Sequence, residues 1–432
     1  MNGNKAVTKV QAIIIIAIIV IAAIVTAWYL LIPPAEEKIT IRVIGEALPP
    51  LEGISSLAEE IYEVENPNVD IIIEMYAMEE QLEKTVADLV AHTGKYDVIM
   101  TINFELGKYV ENGWIYSFED WLADLENIDP ILAGEIDTNG IAELWDAACK
   151  YEGEYYGIPF NPHFMYQWYR EDLFTHTDEM TAFEAEYGYP LAPAETWEQF
   201  RDISEFFTRD AGETLAGEVL SVPFYGTLLQ AKRHLALAYE LFNYFPAFGA
   251  EFWDENGNCV INSTEGQEAL EFYVSLKEFS PPGTLEYTWD DALIMMQQNK
   301  IAQCIMWNDA TFALFDPQMS QVVDKMGFAL NPSKPPYEPS ASFGAWSLCI
   351  NKWSAHAEEA FKFIAWTAQA DIQLEWALRG GEPWTHSPYQ DPLITDTWRD
   401  YLLVNYESGS YAFETIGSHG AVGAVTKEPW SS

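Results

Sequence analysis

Two hydrophobic periods alternate along this chain, and one unbroken apolar run precedes them. From Ala12 to Ile32 only Thr26 clearly interrupts the apolar residues. As a helix rising 1.5 Å per residue, that run is long enough to cross a membrane once. Pro33 and Pro34 stop it, because proline cannot continue a helix. Beyond them, Ile39, Ile41 and Val43 alternate with polar residues and predict a strand. Leu51, Ile54, Leu57, Ala58 and Ile61 recur at helical spacing, and Val69 to Met75 reads as a second strand. Leu82, Val86, Leu89 and Val90 mark another helix, and Tyr96 to Met100 a buried strand. This order implies a parallel sheet with right-handed crossovers.

Capping signals organise the later part. Thr196 and Gln199 form a capping box ahead of an apolar face made by Trp197, Phe200, Ile203 and Phe207. A turn at 254–258 and a short strand from Cys259 to Ile261 lead to a helix capped by Thr264 and Gln267. Thr288-Trp289-Asp290-Asp291 opens a helix ending near Asn299, followed by a strand from Ile301 to Trp307. Ser347 to Ile350 is a strand, and Ala357 to Leu378 reads as one long helix.

The chain has 432 residues, 49% hydrophobic and 14% aromatic, so two domains with sizeable cores are expected. With 22 Lys+Arg against 67 Asp+Glu, the formal net charge is −45. Such a field argues against nucleic acid as a partner, since binding it needs a basic face. Cys149, Cys259, Cys304 and Cys349 form no C-x-x-C and have no histidine at metal-ligand spacing, so no metal site and no cofactor is expected. Their even number permits two disulfides outside the cell, and four buried thiols are the alternative.

Lys5 and Lys9 precede the apolar run and Glu36 and Glu37 follow it, which places Met1 inside the cell and the remainder outside. The run is longer than the core of a secretory signal and lacks a small-x-small cleavage site or a following cysteine. Lys5 to Gln11 resembles an archaeal class III, pilin-like signal. That resemblance implies cleavage between Ala6 and Val7, with the apolar helix retained on the mature protein. An uncleaved anchor is the other reading. Both tether the protein at the extracellular face of the membrane.

Glu154-Tyr155-Tyr156-Gly157-Ile158-Pro159, then Tyr169-Arg170-Glu171-Asp172-Leu173-Phe174, then Thr196-Trp197-Glu198-Gln199-Phe200 follow one another in a telling order. Together they resemble the extracellular solute-binding proteins of ABC importers, of the maltose and sugar-binding type. Pro67 before a strand, Tyr96-Asp97-Val98 and the turn around Gly113 fit as well, so the resemblance runs from about Lys38 to Pro392. It implies an α/β, two-lobed, periplasmic-binding-protein-like type II fold with a central cleft and hinge, plus the N-terminal transmembrane helix. The expected division is a membrane helix at 1–32, a linker at 33–38, a first lobe of 39–160 with 343–380, and a second of 161–342 with 381–432. The short Gly- and Ser-rich stretch from Glu407 to Ser432 departs from the family pattern.

In open α/β sheets ligands sit beyond the carboxyl ends of strands. Sugars need aromatic faces for their C–H surfaces and carboxylates, amides or hydroxyls for their hydroxyl groups. On these grounds the candidate ligand-binding residues are Glu46, Tyr76, Asn103 and Phe104 at strand ends, and Phe160, Asn161 and His163 at the first crossover. Tyr225, Gln230, Trp307 and Asp309 are candidates on the second lobe, Trp346 at the return crossover, and Trp384 in a loop resembling the family's own. Glu79 and Asn308 lie in the same strand-end segments. Against each stands a bland reading: a strand-end tryptophan is more often core than platform, and Glu46 can cap a helix by its charge.

The function implied is a tethered, non-enzymatic receptor that captures a mono- or oligosaccharide, with polyols and peptides as other ligands such clefts take. It would deliver the ligand to an ABC permease. Two rivals differ in class. A pilin-like helix on a large acidic head could form a surface filament or homo-oligomer. A glycoside hydrolase would need two carboxylates flanking one bond. No G-x-S-x-G, H-E-x-x-H, P-loop or G-x-G-x-x-G is present.

Overall fold

The computed structural model describes residues 38–128, 145, 148–254, 256–385, 388 and 391–393. The apolar run, Ala6 and Val7, and the stretch from Glu407 onward lie outside these residues. Among the described residues no helix is long and apolar enough to cross a membrane.

Strands β1 (Ile39–Glu46), β2 (Val69–Tyr76) and β3 (Val98–Ile102) run parallel, with β1 between the other two. Helices α1 (Pro49–Leu57), α2 (Met78–Ala91) and α3 (Asn103–Glu111) follow them in turn. Successive residues of a strand point to opposite faces, and both faces are covered here. Ile41 and Val43 pack into one buried cluster with Leu51, Ile54 and Leu57, while Ile44 packs into another with Leu89 and Tyr109.

A 13-residue strand, β4 (Ile158–Arg170), joins the two halves of the molecule. Its first half pairs antiparallel with β7 (Phe343–Ile350), which passes on to β3. Its second half pairs with β5 (Gln303–Trp307) and β6 (Met326–Ala329). The resulting seven-stranded order is β6-β4-β7-β3-β1-β2, with β5 also on β4. Where the halves meet, Asn161 takes φ +50° and the β4–β7 register slips between Ala345 and Trp346. A slip of this kind bends and twists a strand pair locally.

The second half is helical around β5 and β6. Helix α4 (Trp197–Phe207) starts at the expected box, with Thr196 Oγ1 accepting from Gln199 N–H. Its apolar face meets Tyr244, which stacks on Trp197 at 4.2 Å and 22°. Helices α5 (Leu235–Leu241), α6 (Thr264–Ser275), α7 (Trp289–Gln297) and α8 (Ala310–Phe315) are among the others there.

The structure corrects four local expectations. Ser263, not Thr264, caps α6, accepting from Gly266 N–H. The strand expected at 259–261 is a single bridge between Cys259 and Trp253. The long helix is two, α9 (Ala357–Trp366) and α10 (Ala370–Ala377). Gln369 is extended between them, and Gln373 Nε2 donates to the Thr367 carbonyl at 2.6 Å. None of the four cysteines forms a disulfide; Cys259 is exposed and the other three are buried, so neither alternative holds entirely.

Candidate functional site

The parallel strands β1, β2 and β3 end on one edge of their sheet, and the second half of the molecule faces that edge. A cavity of about 580 Å³ lies between them, within the range of small-molecule sites. Glu46, Leu48, Met78, Glu79 and Ile102 line it from the β1–β3 side. His234, Tyr239, Trp289, Asp290, Trp307 and Asp309 line it from the other. His163, Gly344 and Trp346 come from the two connecting strands.

Local structure explains these placements. Glu46 is the last residue of β1, and Leu48 occupies the N-cap of α1 with no side-chain bond. Thr288 and Asp291 form a capping box at the start of α7, which carries Trp289 and Asp290 to the cavity. The Asn308 side chain accepts from Phe164 N–H at 3.1 Å and donates to the Pro162 carbonyl at 3.0 Å. These bonds fix Trp307 and Asp309 on either side of it. Trp307 meets Tyr239 edge to face at 5.1 Å and 74°. A Cβ on Gly344 would lie 3.3 Å from the Trp307 ring, so a residue without a side chain suits that position.

The cavity is rich in carboxyl groups. The Glu46 carboxyl is pushed up to about 8, first by burial and then by the charges of Asp309, Glu79 and Asp290. Burial also raises Asp290, with Asp291, Asp309 and Glu79 adding to it. Burial lowers His163 despite Asp309, whose Oδ2 stands 4.0 Å from Nε2. A neutral imidazole results, with Nε2 in hydrogen-bond contact with the Asn161 amide. His234 Nε2 lies 3.4 Å from Glu79 Oε1, linking the two sides of the cavity. Trp289 meets His234 edge to face at 5.0 Å. Among the described residues no group of His, Cys, Asp and Glu is arranged to hold a metal ion.

Residues 48–374, well over half of the chain, match the bacterial extracellular solute-binding protein family. This chain belongs to that family. The mannitol-binding protein of Pseudomonas aeruginosa is 26% identical over 322 residues, covering 72% of this chain and 65% of its own length. An ABC-transporter solute-binding protein from Agrobacterium radiobacter K84, in complex with ribitol, superposes with a TM-score of 0.70 at 24% identity, covering 86% of this chain and 87% of its own. MalE3 of T. maritima, with maltose bound, gives 0.68 at 21% identity, covering 87% and 88%. These likenesses place the fold as the two-lobed α/β architecture of solute-binding proteins. The family is the non-enzymatic binding component of ABC importers, so the glycoside-hydrolase reading falls.

For a solute-binding protein the cavity is the place to compare with the residues singled out in the sequence. Glu46, His163, Trp307, Asp309 and Trp346 line it, as does Glu79. The others do not. Tyr76 lies beside the cavity edge, with its hydroxyl on Glu74 at 2.8 Å and Lys84 over its ring. Asn103 and Phe104 fall away because α3 begins directly after Ile102, leaving no loop to carry them over the cleft. Phe160 is core, stacked on Trp376 at 5.0 Å. Asn161 acts at one remove, through His163. Tyr225 bridges to Ile301 through its backbone. Gln230 is buried, donating to the Ile305 carbonyl and, through its N–H, to Glu240. Trp384 is core, edge-on to Trp145 at 5.5 Å. Lys232, His234, Tyr239, Trp289 and Asp290 also line the cavity, although they are not among the residues that the sequence singles out. The cap at Thr288 was a local signal for the last two; nothing local marks the others.

Proposed function

We propose that this solute-binding protein is a receptor tethered at the outer face of the membrane by residues 12–32. It captures a sugar or polyol between its lobes and delivers it to the permease of an ABC importer. The observation that carries the reading is the cavity itself. Trp307 and Trp289 offer partly exposed apolar faces, with Tyr239 and Trp346 in the wall behind, and Glu46, Asp290, Asp309 and His163 offer hydrogen-bonding groups beside them. The mannitol of one relative and the ribitol and maltose of two structural neighbours support a polyhydroxylated ligand. Trp307 is the stacking platform in this reading, with Trp346 buried behind the wall, and Glu46, Asp309 and His163 contact hydroxyl groups.

The lobes divide as 39–160 with 343–380 and 161–342 with 381–432, and they move about β4 and β7 near Asn161 and the slip at Ala345. Ligand contacts to both lobes then shift an open–closed equilibrium toward closure.

Thermal-shift titration with mannitol, ribitol, maltose and related sugars tests the reading. A saturable rise in Tm is expected for one class, because binding to the native state stabilises it by mass action. A flat response across a wide panel, with the protein folded, overturns it and favours the surface filament. For the tether, the full chain should partition with membranes. Val7 as the mature first residue would identify class III processing, and Met1 an uncleaved anchor.

A further inference from the structure

Glu382 is fully buried, yet it belongs to a loop rather than to either connecting strand. The chain leaves α10 through Gly380, at φ +98°, and Gly381, where a Cβ would lie 2.2 Å from the Trp376 ring. Glycine adopts the first conformation without strain, and its lack of a side chain permits the second approach. Trp376 is itself fixed. It stacks on Phe160 at 5.0 Å, and its Nε1–H donates at 2.7 Å to the carbonyl of Pro50, next to the Leu48 and Pro49 that line the cavity. Further along the loop, the Trp384 N–H donates to Gln373 Oε1. The loop is therefore held against the first half of the molecule. From it the Glu382 side chain reaches Asn308, directly after β5 in the second half.

Asn308 is fully buried too, and its amide is engaged on three sides. Nδ2 donates to the Pro162 carbonyl at 3.0 Å and to Glu382 Oε2 at 2.5 Å, and Oδ1 accepts from the Phe164 N–H at 3.1 Å. Asn308 thus joins the loop to β4 one residue past Asn161, where the backbone takes φ +50°. Its chain neighbours Trp307 and Asp309 line the cavity. An apolar residue of similar size would fill the place of Glu382 with a smaller desolvation penalty. Packing alone therefore does not account for a carboxyl there, whereas an acceptor for the Asn308 amide does. An oxygen suffices for that, in either protonation state of the carboxyl.

Resting on the receptor reading, we propose that Glu382 is a positioning residue for ligand binding, acting through Asn308 to set Trp307 and Asp309 at the cavity wall and to tie them to the hinge. Without an acceptor at 382, the Asn308 amide loses one of the bonds that hold it in a buried place, which favours its rotation. Rotation releases the Phe164 N–H and the Pro162 carbonyl, and the segment that carries Trp307 and Asp309 loosens with them. A ligand must then order that segment before it gains from the contacts, and it binds more weakly.

Two variants of the full chain separate this role from packing. Glu382→Gln keeps an acceptor oxygen, and Glu382→Met keeps the volume without one. Should the Met variant fail to fold, Glu382→Ala takes its place. Calorimetric titration with D-mannitol, ribitol and maltose is expected to find Glu382→Gln within about threefold of wild type and Glu382→Met about tenfold or more weaker, with no matching fall in Tm. In native-state hydrogen exchange the Phe164 amide should exchange about tenfold or more faster in Glu382→Met. The Arg170 amide, bonded to the Ala302 carbonyl, should be unchanged. Binding by the Met variant within about threefold of wild type, or an unchanged rate at Phe164, overturns the inference and leaves the receptor reading intact. Equal weakening by Gln and Met also overturns it, because an acceptor at 382 would then not be what binding needs. No saturable binding by the wild type, to these three or to a wide sugar panel, overturns the receptor reading and this inference with it.

Discussion

The tryptophans of this chain divide between core and cleft, and the division gives opposite mutant phenotypes. Trp384 is buried against Trp145, and its backbone N–H donates to Gln373 Oε1 at 3.3 Å. Trp384→Ala should cost about 3–5 kcal/mol of stability while changing the ligand affinity of the molecules that fold by less than about threefold. Trp307 is half-buried at the cavity wall. Trp307→Ala should weaken sugar binding about tenfold or more and lower Tm less than Trp384→Ala does. Calorimetric binding and melting of the two variants check this pair, and a reversed order would move the ligand away from Trp307. A buried acid makes a second prediction. Glu240 is fully buried, with Tyr273 and the Gln230 N–H donating to it, yet burial pushes its carboxyl up to about 8. In the unfolded chain a glutamate titrates near 4.3. Between these values the folded protein keeps a proton that the unfolded chain has lost. The contribution to stability is therefore full below about 4 and falls as pH rises toward 8. The melting temperature should fall across pH 5–8 and fall less steeply in Glu240→Gln; an unchanged slope would mean that Glu240 stays ionised in the fold.

Elements were legible in the sequence where their cause is local. Strand β1 shows a period of two and β2 and β3 are short, largely apolar runs, while the box at Thr196 is a local signal that the structure reproduces. Thr196→Ala should cost about 1 kcal/mol, read as a lower urea midpoint, and a midpoint within error of wild type would show that tertiary packing alone holds the start of α4. Where the cause is tertiary, the pattern misleads. The apolar period of 357–378 continues through Thr367 to Gln369, and only the folded chain brings the Gln373 amide onto the Thr367 carbonyl to break it. The site divides in the same way. A strand end brings Glu46 and Trp307 to the cavity because β1 and β5 deliver them directly. Phe104 does not line it, since it lies in the first turn of the helix that follows β3. Tyr239 and His234 reach the cavity from a helix and its cap whose register against the first half is set by long-range packing. No local pattern records that register.

At the scale of the molecule the question is what holds the two halves closed around a ligand. One direct polar link across the cavity is the His234–Glu79 contact at 3.4 Å, with side chains 29% and 68% exposed. A pair so open to water contributes at most about 1 kcal/mol, and salt screens it. That corresponds to no more than about fivefold in affinity. Desolvated contacts inside the cavity, where aromatic faces and enclosed carboxyls meet the ligand, carry more. Ligand, rather than the clasp, should therefore set the closed population. Glu79→Gln should weaken ligand binding less than about fivefold, with a difference from wild type that shrinks as salt is raised. Small-angle scattering should show the same compact liganded form in both proteins, since the variant retains Trp307, Trp346 and Glu46. A loss of about thirtyfold or more, or a liganded variant as extended as the empty protein, would mean that the clasp itself closes the cleft.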